Sequence, residues 1–83
     1  MDNWQEKNDA LRATFKFKDF TTAFAFMTEV AFAAEKQNHH PNWSNAYNTV
    51  EFSLNTHDAD DTVTEKDRKL ATAINKIYPK YKQ

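Results

Sequence analysis

Cysteine and glycine are both missing from this chain. Without cysteine there is no disulfide framework and no thiolate nucleophile, and a reducing compartment is permitted. Without glycine, Gly-rich phosphate loops and dinucleotide fingerprints are excluded. Any turn that needs positive φ is then expected to fall to Asn or Asp, with Asn8-Asp9 and Asp60-Asp61 at hand. A charge excess is lacking too, because 11 Lys+Arg against 12 Asp+Glu leave a formal net charge of −1. No basic surplus points to nucleic acid, and no block of like charge reads as a tail. No uninterrupted apolar run approaches the roughly 20 residues of a membrane span, and Met1-Asp2-Asn3 does not open like a signal peptide. The expectation is a cytoplasmic protein without nucleic-acid or membrane partners.

What is present is apolar bulk in a short chain. Eighty-three residues suit a single domain, 1–83. A chain of this size buries only roughly 60% of its unfolded surface, so self-association would add stability. Hydrophobic residues make up 40% and include seven phenylalanines, enough for a real core.

Two kinds of periodicity divide the chain. Trp4 to Lys7 reads as a short strand, followed by Asn8-Asp9 as a turn. Leu11, Ala13, Phe15 and Phe17 then alternate with Arg12, Thr14, Lys16 and Lys18, the mark of a strand with one wet face. The strongest helix signal runs from about Thr21 to Gln37. There Phe20, Phe24, Met27, Ala31 and Ala34 form one stripe, widened by Phe26 and Val30, with Phe32 on yet another side. So greasy a helix fits either a thick core or a second face that packs against another subunit, and the small size of the chain favours the second.

Trp43 to Tyr47 reads as a strand, Asn48 as a turn, and Val50, Phe52 and Leu54 as the inward residues of a further strand. An acidic loop, Asp58 to Val63, leads to a helix starting at Thr64, with Glu65 and Asp67 in its first turn. Leu70, Ile74, Ile77 and Tyr81 give this helix its stripe, and Pro79 should end it. The order β-β-α-β-β-α predicts an α+β domain, a four-stranded antiparallel sheet with helices on one face.

The chemistry-bearing residues gather at element ends. His39-His40-Pro41 closes the long helix pattern, and Pro41 pushes His40 toward extended backbone. His57 follows a strand. With an ordinary pKa of about 6.5, histidine can give or take a proton near neutrality. The spacing leaves four readings open: a polar corner without function, a metal site, a hydrolytic triad, and metal-free acid-base catalysis by two histidines. Adjacent histidines in extended chain point apart and no His-x3-His spacing is present, which weighs against metal. The absence of cysteine and of a nucleophile elbow weighs against hydrolysis.

The pattern Glu35-x3-His39-His40-Pro41-x5-Tyr47-x9-His57-x9-Asp67 resembles the signature of the pterin-4a-carbinolamine dehydratases. Phe15 to Phe20, Ala23-Phe24, Phe26-Met27-Thr28, Pro41-x-Trp43, Tyr47-Asn48 and Asn55-Thr56-His57 extend that resemblance over nearly the whole chain. It implies dehydration of a 4a-hydroxytetrahydropterin to the quinonoid dihydropterin, with no cofactor and no metal. It further implies His39 and His57 as the acid-base pair, His40 as a substrate-side neighbour, and Asp67 as the active-site carboxylate. Asp67 has a second reading, since Thr64-x-x-Asp67 also fits a helix-capping arrangement. Glu35, Pro41, Trp43, Asn55, Thr56 and Trp4 are the substrate-binding candidates, the tryptophans as a wall for the flat pterin. Dimers or tetramers are implied through sheet edges and the long helix. An interaction protein, like the family members that serve as transcription-factor dimerisation cofactors, or a protein with another pterin-related role, is the alternative. Two departures stand out. Family members usually carry a helix ahead of the residue matching Trp4, and the His57–Asp67 spacing is one residue longer than in the animal enzymes.

Overall fold

A computed structural model describes residues 3–82. The elements are β1 (Gln5–Lys7), β2 (Ala10–Lys16), α1 (Phe20–Gln37), β3 (Asn42–Ala46), β4 (Thr49–Leu54) and α2 (Glu65–Ile77). Short 3-10 turns span His57–Ala59 and Tyr78–Lys80. The four strands form one antiparallel sheet, as expected, and their order across it is β1-β2-β4-β3.

Local chemistry sets the connections. Lys7 pairs with Ala10 across a two-residue turn, and Asn8 and Asp9 both take positive φ (53° and 61°). A hairpin turn of this kind requires that conformation at both central residues, which Asn and Asp tolerate without glycine. Tyr47 breaks the expectation that only Asn or Asp would fill such positions, for its φ is 51°. Asn45 holds that corner by donating its side-chain amide to the carbonyls of Tyr47 and Thr49. Asn48 ties the corner to the end of β2 by donating to the Phe17 carbonyl.

Asp19 caps α1 by accepting the Thr22 amide at 2.8 Å, and this bond holds its carboxyl below the usual range. Asn38 ends α1 in the left-handed conformation, and its N–H returns to the carbonyls of Ala34 and Glu35. The chain therefore turns sharply at Asn38 and delivers His39 and His40 beside the helix end.

The core lies between the sheet and the two helices. Leu11, Ala13, Phe15, Val50, Phe52 and Leu54 meet Ala23, Phe26, Val30 and Ala34 of α1 and Leu70, Ala71, Ile74 and Ile77 of α2. Phe26 is at its centre, with ring centroids 4.8–6.1 Å from Phe15, Phe17, Phe52, Tyr78 and Tyr81. This corrects the sequence expectation for α1. The buried face is the one through Phe26 and Val30, whereas Phe20, Phe24 (53% exposed) and Phe32 (73%) face outward. As expected from Pro79, α2 ends just ahead of it at Ile77, and the proline is carried in the Tyr78–Lys80 3-10 turn. Among the described residues, no helix is long and apolar enough to cross a membrane.

Candidate active site

Three element ends supply the site: the exit of α1, the end of β4 and the first turn of α2. The N-terminal turn of α2 is built by a capping box. Thr64 accepts the Lys66 amide through its side chain, while Asp67 Oδ2 accepts the Thr64 amide at 2.9 Å. Asp67 thereby sits where its negative charge favours the helix dipole.

The same carboxylate reaches beyond its helix. Asp67 Oδ1 lies 2.6 Å from His39 Nε2, and Oδ2 accepts the Thr56 hydroxyl at 2.8 Å. Thr56 Oγ1 is in turn 2.6 Å from Thr64 Oγ1. Asp67 is 0% exposed and the His39 side chain 12%. An unpaired carboxylate in such a place would be strongly unfavourable, so the partners on both oxygens are what make the burial tolerable. Asp67 therefore both caps its helix and holds a histidine.

The other two histidines have different surroundings. His40 Nε2 is 2.8 Å from Glu35 Oε1 on an exposed surface, the acid lying one helical turn before the exit. His57 stands on the 3-10 turn that follows Thr56, its side chain 91% exposed, with Nδ1 3.0 Å from Asp61 Oδ1. The hydrogen bond to Asp61 raises the His57 pKa above its ordinary value, and the charges of Asp61 and Asp58 add to the rise. His57 is therefore held in its protonated form to higher pH than a free histidine.

The structure thus brings His39, Thr56 and Asp67 into direct contact, with His57 next along the chain from Thr56. His40 and Glu35 form a separate pair at the same helix exit. Pro41 links that exit to β3, and Asn55 leads from β4 to Thr56. Thr56, a substrate-binding candidate from the sequence, has its hydroxyl engaged by Asp67 and Thr64. Trp4 is buried in the core against Phe15 and Phe52, and its Nε1 donates to Asn75 Oδ1 at 2.9 Å. Trp43 is half-buried, tilted on Phe52 at 5.6 Å. It closes an apolar hollow shared with Phe24, Met27, Ala31 and Phe32 of α1.

Sequence reasoning missed Thr64 and Asp61 as members of the constellation. Thr64 was legible as a helix cap, but only the fold shows its hydroxyl against that of Thr56. Asp61 lies four residues after His57, a spacing that reads as ordinary loop acidity until the turn folds back. Among the described residues, no three His, Asp or Glu side chains gather in a metal-holding arrangement.

The chain is similar to known proteins over nearly its whole length. Residues 1–77 match the sequence profile of the family described as pterin 4 alpha carbinolamine dehydratase. A protein of Christiangramia forsetii, named by inference as a pterin-4-alpha-carbinolamine dehydratase, is 53% identical over 76 residues, 92% of this chain and 77% of its own length. A similarly named protein of Prochlorococcus marinus is 49% identical over 75 residues, 90% of this chain and 77% of its own length. The crystal structure of a Brucella melitensis protein titled transcriptional coactivator/pterin dehydratase superposes with a TM-score of 0.88. It is 49% identical and covers 94% of this chain and 84% of that one. A pterin dehydratase-like RuBisCO assembly factor of the alpha-carboxysome shares the fold at TM-score 0.73 and 22% identity, over 90% of this chain and 86% of that one. A profile match over nearly the whole length, together with relatives at about half identity, places this chain in the pterin 4 alpha carbinolamine dehydratase family.

Proposed function

We propose that this chain dehydrates 4a-hydroxytetrahydropterin to quinonoid dihydropterin and so serves the recycling of tetrahydrobiopterin in the cytoplasm. The reaction breaks the C4a–O bond and forms the C4a=N5 double bond. One proton goes to the departing hydroxyl, which leaves as water, and one comes off N5. There is no net redox change. Two imidazoles in opposite protonation states can divide the two transfers, a form of catalysis that contributes typically about 10²–10⁴-fold.

The observation that carries this reading is the buried His39–Asp67 pair, with His57 next in the chain to Thr56, which donates to Asp67, and with the His57 pKa raised by Asp61. His57 suits the role of proton donor to the hydroxyl, and His39 that of acceptor from N5. His40, paired with Glu35, stands on the substrate side, and Trp43, Asn55 and Pro41 are the remaining candidates to line the pterin. The outward face of α1, with Phe20, Phe24 and Phe32, supports assembly of the single-domain chain into dimers or tetramers. The same exposed face, and the coactivator title of the Brucella relative, favour an interaction role as the second reading.

A stopped-flow assay of 4a-carbinolamine dehydration decides between them. His39→Ala and His57→Ala should each cut turnover by about 10²-fold or more while leaving the fold intact. Near wild-type rates in either variant would sink the assignment. A cellular phenotype that survives loss of both histidines would favour the interaction role.

A further inference from the structure

The hydrogen bonds around Asp67 have a direction. Asp67 Oδ2 accepts the Thr64 amide, which can only donate, and the Thr56 hydroxyl. The hydrogen of Thr56 is thus committed to Asp67, so in the 2.6 Å contact between the two hydroxyls Thr64 is the donor and Thr56 the acceptor. Thr64 Oγ1 still has a lone pair for the Lys66 amide, 3.3 Å away. Donors thus run one way, from the cap of α2 through Thr64 and Thr56 into the carboxylate.

With Oδ2 supplied by two donors, Oδ1 is the oxygen left for the histidine, and a carboxylate oxygen can only accept there. The proton in the 2.6 Å contact therefore belongs to His39 Nε2. In a neutral imidazole the other nitrogen is then an acceptor. His39 Nδ1 has no hydrogen-bond partner among the described residues, whereas the ring as a whole is only 12% exposed.

We infer that Thr64 and Thr56 are positioning residues that fix His39 as its Nε2–H tautomer and thereby make Nδ1 the nitrogen that takes the proton from substrate. Neither threonine touches the pterin in this scheme. Thr64 acts on the histidine through two intervening side chains, from a position that looks from the sequence like an ordinary helix cap. The kinetic part of this inference rests on the proposed dehydration; the tautomer does not.

Two measurements on the full-length protein test it. Nitrogen-15 spectra of the histidine rings at about pH 8, above the ordinary imidazole pKa, report which nitrogen of each neutral ring carries the proton. The expected result for His39 in the wild type is a protonated Nε2 and a bare Nδ1. A His39 ring protonated on Nδ1 overturns the inference with no variant required. In the second measurement, Thr56→Val and Thr64→Val remove one hydroxyl each at nearly constant volume, while Thr56→Ser and Thr64→Ser retain it. The valine variants should show mixed His39 tautomers and a fall in kcat of about tenfold, a part of the 10²–10⁴ at stake in proton transfer, with KM nearly unchanged. The serine variants should restore both readouts. Valine variants that keep the wild-type tautomer and kcat, or serine variants that fail to rescue, overturn the relay. A wild-type chain that shows the expected tautomer but dehydrates no 4a-hydroxytetrahydropterin overturns the proposed reaction and leaves the tautomer assignment standing.

Discussion

Asp67 receives His39 Nε2 on one carboxylate oxygen at 2.6 Å and the Thr64 amide of its own helix on the other at 2.9 Å. One side chain thus joins the start of α2 to the exit of α1, and the loss of that side chain should be felt in both stability and turnover. Asp67→Ala strands the Thr56 hydroxyl, the Thr64 amide and the His39 ring nitrogen. Each unsatisfied buried group costs about 1–3 kcal/mol. Asp67→Asn keeps the volume and one acceptor, so its stability loss should be smaller while kcat still falls by at least about tenfold. Denaturant unfolding and turnover of both variants measure the two effects, and full activity in the Asn variant would remove Asp67 from catalysis.

The His57–Asp61 pair predicts a pH dependence with a definite sign. Hydrogen bonding to Asp61 raises the His57 pKa, so the protonated ring persists to higher pH. If His57 is the proton donor, Asp61→Asn should move the alkaline limb of the kcat profile to lower pH. The stability linkage follows the same direction. Because the folded-state pKa is the higher one, the pair's contribution is complete below about 6.5 and is lost as pH rises through the raised value. Both side chains are well exposed, so that contribution is screened by salt and small. NMR titration of His57 with and without Asp61 checks the shift, and an unchanged midpoint would contradict it.

Opposite faces of α1 should respond differently to truncation. Phe26→Ala opens a hole at the centre of the core and should cost about 3–5 kcal/mol. Phe32→Glu lies on the outward face and should leave the far-ultraviolet spectrum unchanged. If that face joins copies of the chain, the same substitution should shift sedimentation from oligomer to monomer. A wild type that sediments as a clean monomer at micromolar concentration would remove the self-association proposal.

Trp4 separates core from pocket. Trp4→Phe keeps an aromatic ring against Phe15 and Phe52 but deletes the donor to Asn75. The expected result is a loss of about 0.5–1.5 kcal/mol of stability with the KM for the pterin unchanged. A KM raised severalfold at unchanged stability would put Trp4 back on the substrate.

Much of this protein is set by local pattern. Period-two alternation in β2 and β4 fixes which side chains face the core, because successive strand residues must point to opposite faces. Asn8-Asp9 marks a glycine-free hairpin, and Pro41 marks the corner that carries the histidines. Periodicity could not decide which side of α1 is buried. The helix is apolar over more than half its circumference, so two stripes compete, and only packing against the sheet selects Phe26 over Phe24. Tyr47 in the left-handed region was equally hidden, since it depends on the hairpin's geometry and the clamp of Asn45. The long-range pairs lie furthest from local rules. Trp4 and Asn75 are 71 residues apart, and His39 and Asp67 are 28 apart. The sequence by itself determined that three histidines and an acid stand at the ends of elements. The tertiary structure decided which of them touch, because contact between element ends depends on how α1 and α2 lie across one sheet. It joined His39 to Asp67, and turned His57 outward onto Asp61.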